Sequence, residues 1–251
     1  MSLIRNKFTR NIKGLVLLAL NYFSGGGLPI LMYHSVSYNK IFFTVTPESF
    51  QKQMAWLFQN KYKVISLKEL ADIIGHEGEV PKKTAVLTFD DSFEDVYLNA
   101  FPILKKYGFP ASVFIATDFI GREQKNESTG ILFKTLDWPQ IKEMHESGLI
   151  DFEPHTCNHQ ELTKISLEEA KKEILDSRRI IEEGLNKKCH FFAYPRGKYN
   201  QGVVNILKEN NFLATLTVNP GRVRKNSNLL ELPRQSIDSA TGKFQFTCKV
   251  K

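Results

Sequence analysis

The chain has 251 residues, of which 42% are hydrophobic and 24% are charged, as in a soluble globular protein long enough to bury a sizeable core. Its net charge of +7 favours an anionic partner, such as nucleic acid, a membrane surface or an anionic glycan, without selecting one. No Lys/Arg-rich run is interleaved with aromatic residues, which argues against a single-strand nucleic-acid binder, and the three cysteines form neither a CxxC pair nor an even disulfide framework.

Residues 1–27 combine four cations with a short apolar stretch that is broken by Asn21. A charged start before an apolar run is typical of a signal peptide, although the glycines at 25–27 make a poor cleavage site. The run is too short to span a bilayer, and its apolar residues recur at helical spacing with cations on the other face. We predict a basic amphipathic helix that associates with a membrane surface; a signal peptide and a helix packed on the domain's own core are the alternatives.

From residue 28 onward, apolar strands alternate with amphipathic helices. In chain order, we predict a strand at 29–36, a helix at 46–62, a short strand and a helix within 63–74, a strand at 84–90, a helix at 96–108, a strand at 111–117, an insertion loop at 121–135, a helix at 138–148, a strand at 149–156, a helix at 166–185, a strand at 189–197, a helix at 200–211 and a strand at 212–218.

This alternation indicates a parallel sheet covered by helices, because the strands are apolar on both faces. Six or more such units without a GxGxxG or P-loop pattern favour a closed barrel over an open, doubly wound sheet. We therefore predict an α/β fold in which residues 28–251 form one domain and residues 1–27 a separate N-terminal segment. In such barrels, functional groups lie where the strands end.

Two adjacent carboxylates, Asp90 and Asp91, lie at the end of the apolar strand 84–90. The plain interpretation is a solvated turn or a helix cap, where aspartate is common. A functional pair needs a partner, because like charges this close are costly when buried unless a cation or a shared proton relieves them.

Two histidines, His155 and His159, lie four residues apart in the stretch EPHTCNH. On a helical turn this spacing places both imidazoles on one side, where they can share a cation. The pair alone is weak support for a metal site, since exposed histidine pairs are common. With a neighbouring carboxylate it forms a set that suits Zn²⁺ with positions open to water and substrate, and the spare carboxylate can act as a base.

The stretches TFDD at 88–91 and HTCNH at 155–159 resemble two motifs of the metal-dependent polysaccharide deacetylases of carbohydrate esterase family 4. The resemblance extends from about residue 29 to residue 234. It implies an irregular (β/α) barrel, which agrees with about seven predicted strands. It also implies that Asp90 is the general base and that a divalent metal, with Zn²⁺ as the preferred ion, is held by Asp91, His155 and His159.

The family's third motif, Arg-x-Pro-Tyr/Phe, corresponds to AYPRG at 193–197. The resemblance implies that Tyr194 and Pro195 contribute to substrate binding and that the backbone N–H of Arg196 serves an oxyanion hole. The motif's arginine, which steadies the catalytic aspartate in the family, is replaced by Ala193. Arg234, in the stretch LELPRQS, is our candidate for the missing cation, with a surface arginine as the alternative.

The family's last motif, Leu-x-His, supplies a general acid late in the chain, but no histidine follows His190 here. The stretch ILMYHSV near the start is similar to it. Because the first and last strands of a closed barrel are neighbours, a circular permutation would leave this histidine in the same place, which makes His34 the candidate acid. A hydrogen-bonded histidine at a strand end is the alternative. Trp138, in LDWPQ, resembles a displaced substrate-groove tryptophan, with a core position as the alternative.

The motif order resembles the branch with the poly-N-acetylglucosamine and exopolysaccharide deacetylases. It implies hydrolysis of N-acetyl groups on N-acetylhexosamine units of a bacterial-type cell-surface glycan, which is either a polysaccharide or a lipid-linked precursor. A small-molecule amide or imide hydrolase and a non-catalytic glycan-binding protein are the alternatives. We expect no nucleic-acid partner, and neither the glycan nor the oligomeric state follows from the sequence.

Overall fold

A computed structural model of the chain describes residues 26–76, 78–125 and 129–251. The predicted N-terminal helix falls almost entirely on residues 1–25 and so lies outside the described residues. Within the three described ranges, no helix combines the length and the apolar character that a bilayer crossing requires.

Strands and helices alternate along most of the described chain. The strands are β1 (Ile30–Tyr33), β2 (Ser35–Val36), β3 (Thr44–Val45), β4 (Lys63–Val64), β5 (Thr84–Phe89), β6 (Ala111–Ile115), β7 (Glu123–Lys125), β8 (Leu132–Lys134), β9 (Ile150–Pro154), β10 (Phe191–Ala193), β11 (Ala214–Pro220) and β12 (Leu232–Ser236). The helices are α1 (Pro47–Gln59), α2 (Leu67–Gly75), α3 (Phe101–Tyr107), α4 (Trp138–Glu146), α5 (Leu167–Leu185), α6 (Gln201–Glu209) and α7 (Lys243–Val250).

Seven parallel strands form a nearly closed barrel in the order β10-β11-β12-β1-β5-β6-β9, and β4 pairs with the first residues of β5. The predicted barrel of about seven strands is therefore confirmed. The first strand of the barrel, β1, lies beside the last, β12, with Leu31 opposite Gln235. This is the adjacency on which the permutation argument depends.

The gap between β9 and β10 is bridged by a side chain instead of a strand ladder. Glu153, which is fully buried on β9, accepts hydrogen bonds from the backbone N–H groups of His190 and Phe191, both at 3.0 Å. The ammonium group of Lys187 lies 2.9 Å from its other oxygen. These contacts connect β9 to the segment that leads into β10, so this side chain stabilises the closure of the barrel.

Several predicted helix ends follow directly from capping residues. Ser166 and Asp137 each form a capping box, with Glu169 and Gln140 respectively. Gly108, the predicted end of the helix at 96–108, has a left-handed φ of 62° that stops α3. The first part of that predicted helix is a π-helical turn, Val96–Ala100.

Several features differ from the sequence prediction. The strand predicted at 29–36 is interrupted at His34, which separates β1 from β2. The predicted insertion loop at 121–135 contains the antiparallel hairpin of β7 and β8. Strand β12 and helix α7 were not predicted; β12 contains Pro233, and proline lowers the strand signal of a sequence.

Candidate active site

Asp90 and Asp91 leave the carboxyl end of β5 in different directions because the backbone turns sharply between them. Asp90 is 3% exposed, and its N–H donates to the carbonyl of Tyr33. Asp91 and Ser92 both have left-handed backbone angles, with φ of 68° and 48°. This turn sends the Asp90 carboxylate into the barrel and the Asp91 carboxylate toward the two histidines.

Arg234 lies fully buried on β12 and binds Asp90 with both ends of its guanidinium. Nη1 lies 2.7 Å from Oδ1 and Nη2 lies 2.6 Å from Oδ2, while Nε donates to the carbonyl of Thr217 at 2.8 Å. Burial alone would raise the pKa of Asp90, but the neighbouring guanidinium lowers that pKa well below its ordinary value. Arg234 is thus not a surface arginine, and it keeps Asp90 ionised.

The three predicted metal ligands lie together at the same end of the barrel. An Asp91 carboxylate oxygen is 3.3 Å from Nε2 of His159 and 3.7 Å from Nε2 of His155, and one ligand atom from each residue lies within 4.8 Å of the others. Two imidazole nitrogens and one carboxylate oxygen form a donor set that suits Zn²⁺ and leaves positions open. The residues present therefore fit a divalent metal.

A hydrogen bond from Nδ1 orients the imidazole of His155 so that Nε2 is free to bind a metal. Nδ1 lies 2.6 Å from the carbonyl oxygen of Ala193, so it carries the hydrogen and leaves the Nε2 lone pair facing Asp91. Burial and the neighbouring His159 lower the pKa of His155 to about 4. The ring is therefore neutral at pH 7, which is the form that binds a metal.

The segment between the two histidines is a loop and not the helical turn on which their spacing would place both imidazoles on one side. Thr156 and His159 have left-handed φ values of 67° and 58°, which a right-handed helix cannot contain. The loop still brings the two rings to a centroid distance of 4.9 Å.

Glu173 of α5 holds this loop, and the sequence analysis did not identify it. Its carboxylate accepts hydrogen bonds from the backbone N–H groups of Cys157 at 2.9 Å and Asn158 at 3.3 Å. The backbone N–H of Asp118 also donates to the carbonyl of Cys157, at 2.8 Å. Since Glu173 is one of six acidic residues along α5, no local signal separates it from the others.

The turn Pro195–Gly197 carries the predicted oxyanion-hole amide. Arg196 has a left-handed φ of 56°, and as the second residue of a single helical turn its N–H has no acceptor within that turn. Gly197, at φ 66°, packs so closely that an added Cβ would lie 2.3 Å from a methyl carbon of Val218. The turn therefore requires glycine at this position.

The side chains of Tyr194 and Pro195, which the resemblance assigns to substrate binding, are both buried. The Tyr194 hydroxyl donates to the carbonyl of Leu230 at 3.0 Å, and its ring stacks on Tyr199 at 4.6 Å. These contacts place the two side chains behind the turn, where they support it.

His34 follows β1 at the same end of the barrel as the aspartates. Its ring packs against Phe43 at a centroid distance of 5.4 Å. Its Nδ1 is buried and has no hydrogen-bond partner within the described part of the chain, which differs from the alternative of a hydrogen-bonded histidine at a strand end. An orphaned ring nitrogen of this kind is common where a substrate or water completes the hydrogen bonding.

Trp138 lies in the layer of helices around the barrel, which agrees with the core position given above as the alternative to a substrate-groove position. It is the first residue of α4, and its ring packs so closely on Gly184 of α5 that an added Cβ there would lie 2.2 Å from the indole. The ring also packs against the main hydrophobic core.

Backbone strain is concentrated at the end of the barrel that carries these groups. Nine described non-glycine residues have positive φ, and five of them belong to the three segments above: Asp91, Ser92, Thr156, His159 and Arg196. Such conformations cost about 1–3 kcal/mol each and persist only where the surroundings enforce them, which is common at active sites.

Known proteins share both the sequence pattern and the fold. Residues 77–232 match the sequence model of the polysaccharide deacetylase family. The YxkH protein of Bacillus subtilis, named as a polysaccharide deacetylase, is 30% identical over 210 residues, which cover 84% of this chain and 71% of the relative. The poly-beta-1,6-N-acetyl-D-glucosamine N-deacetylase of Staphylococcus epidermidis is 32% identical over 200 residues, which cover 76% and 67% of the two chains.

Two solved structures resemble the barrel closely. A Streptococcus pyogenes deacetylase in complex with acetate has a TM-score of 0.80 at 29% identity, covering 90% of this chain and 99% of that one. IcaB from Ammonifex degensii has a TM-score of 0.80 at 25% identity, covering 90% and 98%. The family match at 77–232 includes the carboxylate pair and both histidines, whereas His34 and Arg234 lie outside it.

Proposed function

Since the chain belongs to the polysaccharide deacetylase family, we propose that it is a metal-dependent hydrolase of N-acetyl groups on N-acetylhexosamine units of a cell-surface glycan. The products are acetate and a free amine on the sugar. The observation that carries the proposal is the ion-paired Asp90 beside the cluster of Asp91, His155 and His159. The staphylococcal relatives make β-1,6-linked poly-N-acetylglucosamine the first substrate to test.

The metal would be held by Asp91 and the Nε2 atoms of His155 and His159. When bound, a divalent cation supplies a Lewis acid that polarises the acetyl carbonyl and makes a water molecule more acidic. The two adjacent aspartates can then both remain ionised, because the cation neutralises one and Arg234 neutralises the other.

Asp90 is the proposed general base. It accepts a proton from the water that attacks the acetyl carbon. Its two hydrogen bonds from Arg234 fix the carboxylate in place, so it does not need to reorient during the reaction. The same guanidinium limits its basicity, which ties the pH dependence of the reaction to this ion pair.

Two further groups complete the reaction. The backbone N–H of Arg196 donates to the acetyl oxygen as that oxygen becomes negative. His34 gives a proton to the sugar nitrogen as the C–N bond breaks, and acetate then leaves. The position of His34 at the strand end and its orphaned Nδ1 support this role.

The two aspartates are adjacent and are tested by the same isosteric change, so each variant controls for the other. Asp91→Asn should lose zinc, measured as metal content after dialysis. Asp90→Asn should keep zinc and lose about 10²–10⁴-fold in acetate release from N-acetylated glucosamine oligomers. Zinc loss in Asp90→Asn but not in Asp91→Asn would reverse the two roles. Equal rates on oligomers and on simple amides would favour a small-molecule hydrolase.

A further inference from the structure

A basic cleft of about 600 Å³ lies at the amino-terminal end of the barrel, where β1 and β5 begin. Among the residues that the structure describes, six cationic side chains line it, and Glu79 is the single acidic one. The cations are Lys82, Lys83, Arg222, Arg224, Lys225 and Lys251. They come from three separate segments of the chain, so the sequence alone shows only scattered basic residues.

The cleft holds more positive charge than the rest of the domain. The first 25 residues contain four of the 34 cations and none of the 27 carboxylates, so residues 26–251 have 30 cations and 27 carboxylates, a net +3. The side chains that line the cleft have a net charge of +5, that is six cations against one carboxylate. Outside the cleft, the remainder of residues 26–251 is therefore slightly acidic, and the domain has one basic end.

The contacts within the cleft leave much of this charge uncompensated. Arg222 donates to the carbonyl oxygens of Gly27 and Lys249, at 3.3 and 3.0 Å, and carbonyl oxygens carry no net charge. The ion pair between Lys225 and Glu79 is 3.8 Å long, and the Glu79 side chain is 90% exposed. Lys82 and Lys83 are both exposed.

The cleft also marks the point at which the N-terminal segment joins the barrel. Gly26 and Gly27 line it, and Leu28 is fixed to Val223 by backbone hydrogen bonds of 2.8 and 2.9 Å. Residue 26 therefore lies at this basic end, and the preceding residues 1–25 contain four more cations in the sequence. The site described above lies at the other end of β5, about 20 Å away at the rise of an extended strand.

We propose that this basic cleft docks the domain on a membrane surface that contains anionic phospholipids. Phosphate oxygens of the lipid headgroups would accept hydrogen bonds from the lysine and arginine side chains. This adds a contact by the folded domain itself to any contact by residues 1–25. It orients the barrel so that the carboxyl ends of its strands, with Asp90 and Asp91, face away from the bilayer and toward a glycan.

The test compares two pairs of charge reversals in the full chain. Lys82→Glu with Lys83→Glu changes the cleft, and Lys171→Glu with Lys172→Glu changes two exposed residues of α5 that do not line it. Both variants lower the net charge by the same four units, from +7 to +3. Binding is measured by co-sedimentation with vesicles of phosphatidylcholine containing phosphatidylglycerol, with pure phosphatidylcholine vesicles as the neutral reference.

The cleft variant should bind the anionic vesicles at least about 25-fold more weakly, because each of the two lost cations contributes about fivefold in affinity near such a surface. The α5 variant should lose much less. Equal losses in both variants would attribute binding to net charge alone, and no loss in either would attribute it to the N-terminal segment; both results overturn the proposal. Acetate release from a soluble oligomer, followed in parallel, tests the proposed function separately and should be the same in all three proteins.

Discussion

Arg234 and Asp90 form a buried ion pair with two hydrogen bonds, although 144 residues separate them in the chain. Their strands, β12 and β5, lie on either side of β1. The position that carries the arginine in the related motif is Ala193, whose carbonyl instead orients His155. The cation beside the proposed general base thus comes from a different strand.

We expect Arg234→Lys to move the acid limb of the pH profile of kcat/KM to higher pH. Lysine cannot form the two parallel hydrogen bonds, so the pKa of Asp90 rises from its lowered value and the base is protonated at a higher pH. Arg179→Lys, on the exposed face of α5, is the matched control and should leave the limb unchanged. If the acid limb of the kcat/KM profile does not move in Arg234→Lys, the ionisation of Asp90 does not determine that limb.

The same pair makes stability depend on pH with a definite sign. The pKa of Asp90 is lower in the folded protein than its ordinary value of 3.8, so the pair contributes its full stability above about pH 4 and loses it as the pH falls further. The difference in the free energy of unfolding between wild type and Arg234→Lys should therefore shrink below pH 4. Urea denaturation at pH 7 and pH 3 measures this, and a difference that grows on acidification would contradict it.

We expect His34→Ala to lower acetate release from a glycan by about 10²–10⁴-fold with zinc content unchanged. 4-Nitrophenyl acetate should be affected much less, since its phenolate leaves without needing a proton. His76→Ala, at the exposed end of α2, provides the control. If both substrates slow equally, or neither does, His34 is not the general acid.

Gly197→Ala should distort the turn that presents the Arg196 N–H. Alanine meets both an unfavourable φ of 66° and a contact of 2.3 Å with Val218. Losing one oxyanion donor costs about 10²–10³-fold in kcat, and zinc content should stay the same.

Gly148→Ala isolates the effect of the contact in that experiment. Gly148 has nearly the same φ, 72°, but nothing lies within 4 Å of an added Cβ. The Gly148→Ala variant should be less stable by about 1–2 kcal/mol and should keep its turnover. Equal turnover in Gly197→Ala and Gly148→Ala would show that the turn at Pro195–Gly197 does not contribute to catalysis.

Glu173 is expected to act on the metal through the loop that it holds. Glu173→Ala should weaken zinc binding by about 10–100-fold, as is typical when a group that orients metal ligands is lost. Glu173→Gln keeps an acceptor oxygen for the N–H groups of Cys157 and Asn158 and should restore most of the affinity. Competition with a chromophoric chelator measures this; Glu168→Ala, in the first turn of α5, is the control. An unchanged zinc affinity in Glu173→Ala would limit Glu173 to a structural role.

Features with a local cause were predictable from the sequence. The alternation of apolar strands and helices indicated the barrel, and the capping pattern of Ser166 with Glu169 placed the start of α5. Asp90 and Asp91 were predicted at a strand end because an apolar run leads directly into them.

Features that depend on distant partners were not predictable in the same way. Strand β12 was not predicted because Pro233 and a charged Arg234 interrupt its apolar pattern, and the burial of that arginine depends on Asp90, which follows β5, two strands away in the sheet. The loop conformation from His155 to His159 was not predicted, because residue spacing does not reveal a left-handed residue such as Thr156.

The most direct test of metal-dependent deacetylation is the acetate released from a β-1,6-linked N-acetylglucosamine oligomer by one protein sample in three states: untreated, chelated, and resupplied with zinc. We predict that chelation abolishes acetate release and that one equivalent of zinc per chain restores it, while Asp91→Asn stays inactive throughout. A chelated protein, shown to be free of metal, that still releases acetate at the untreated rate would contradict the account.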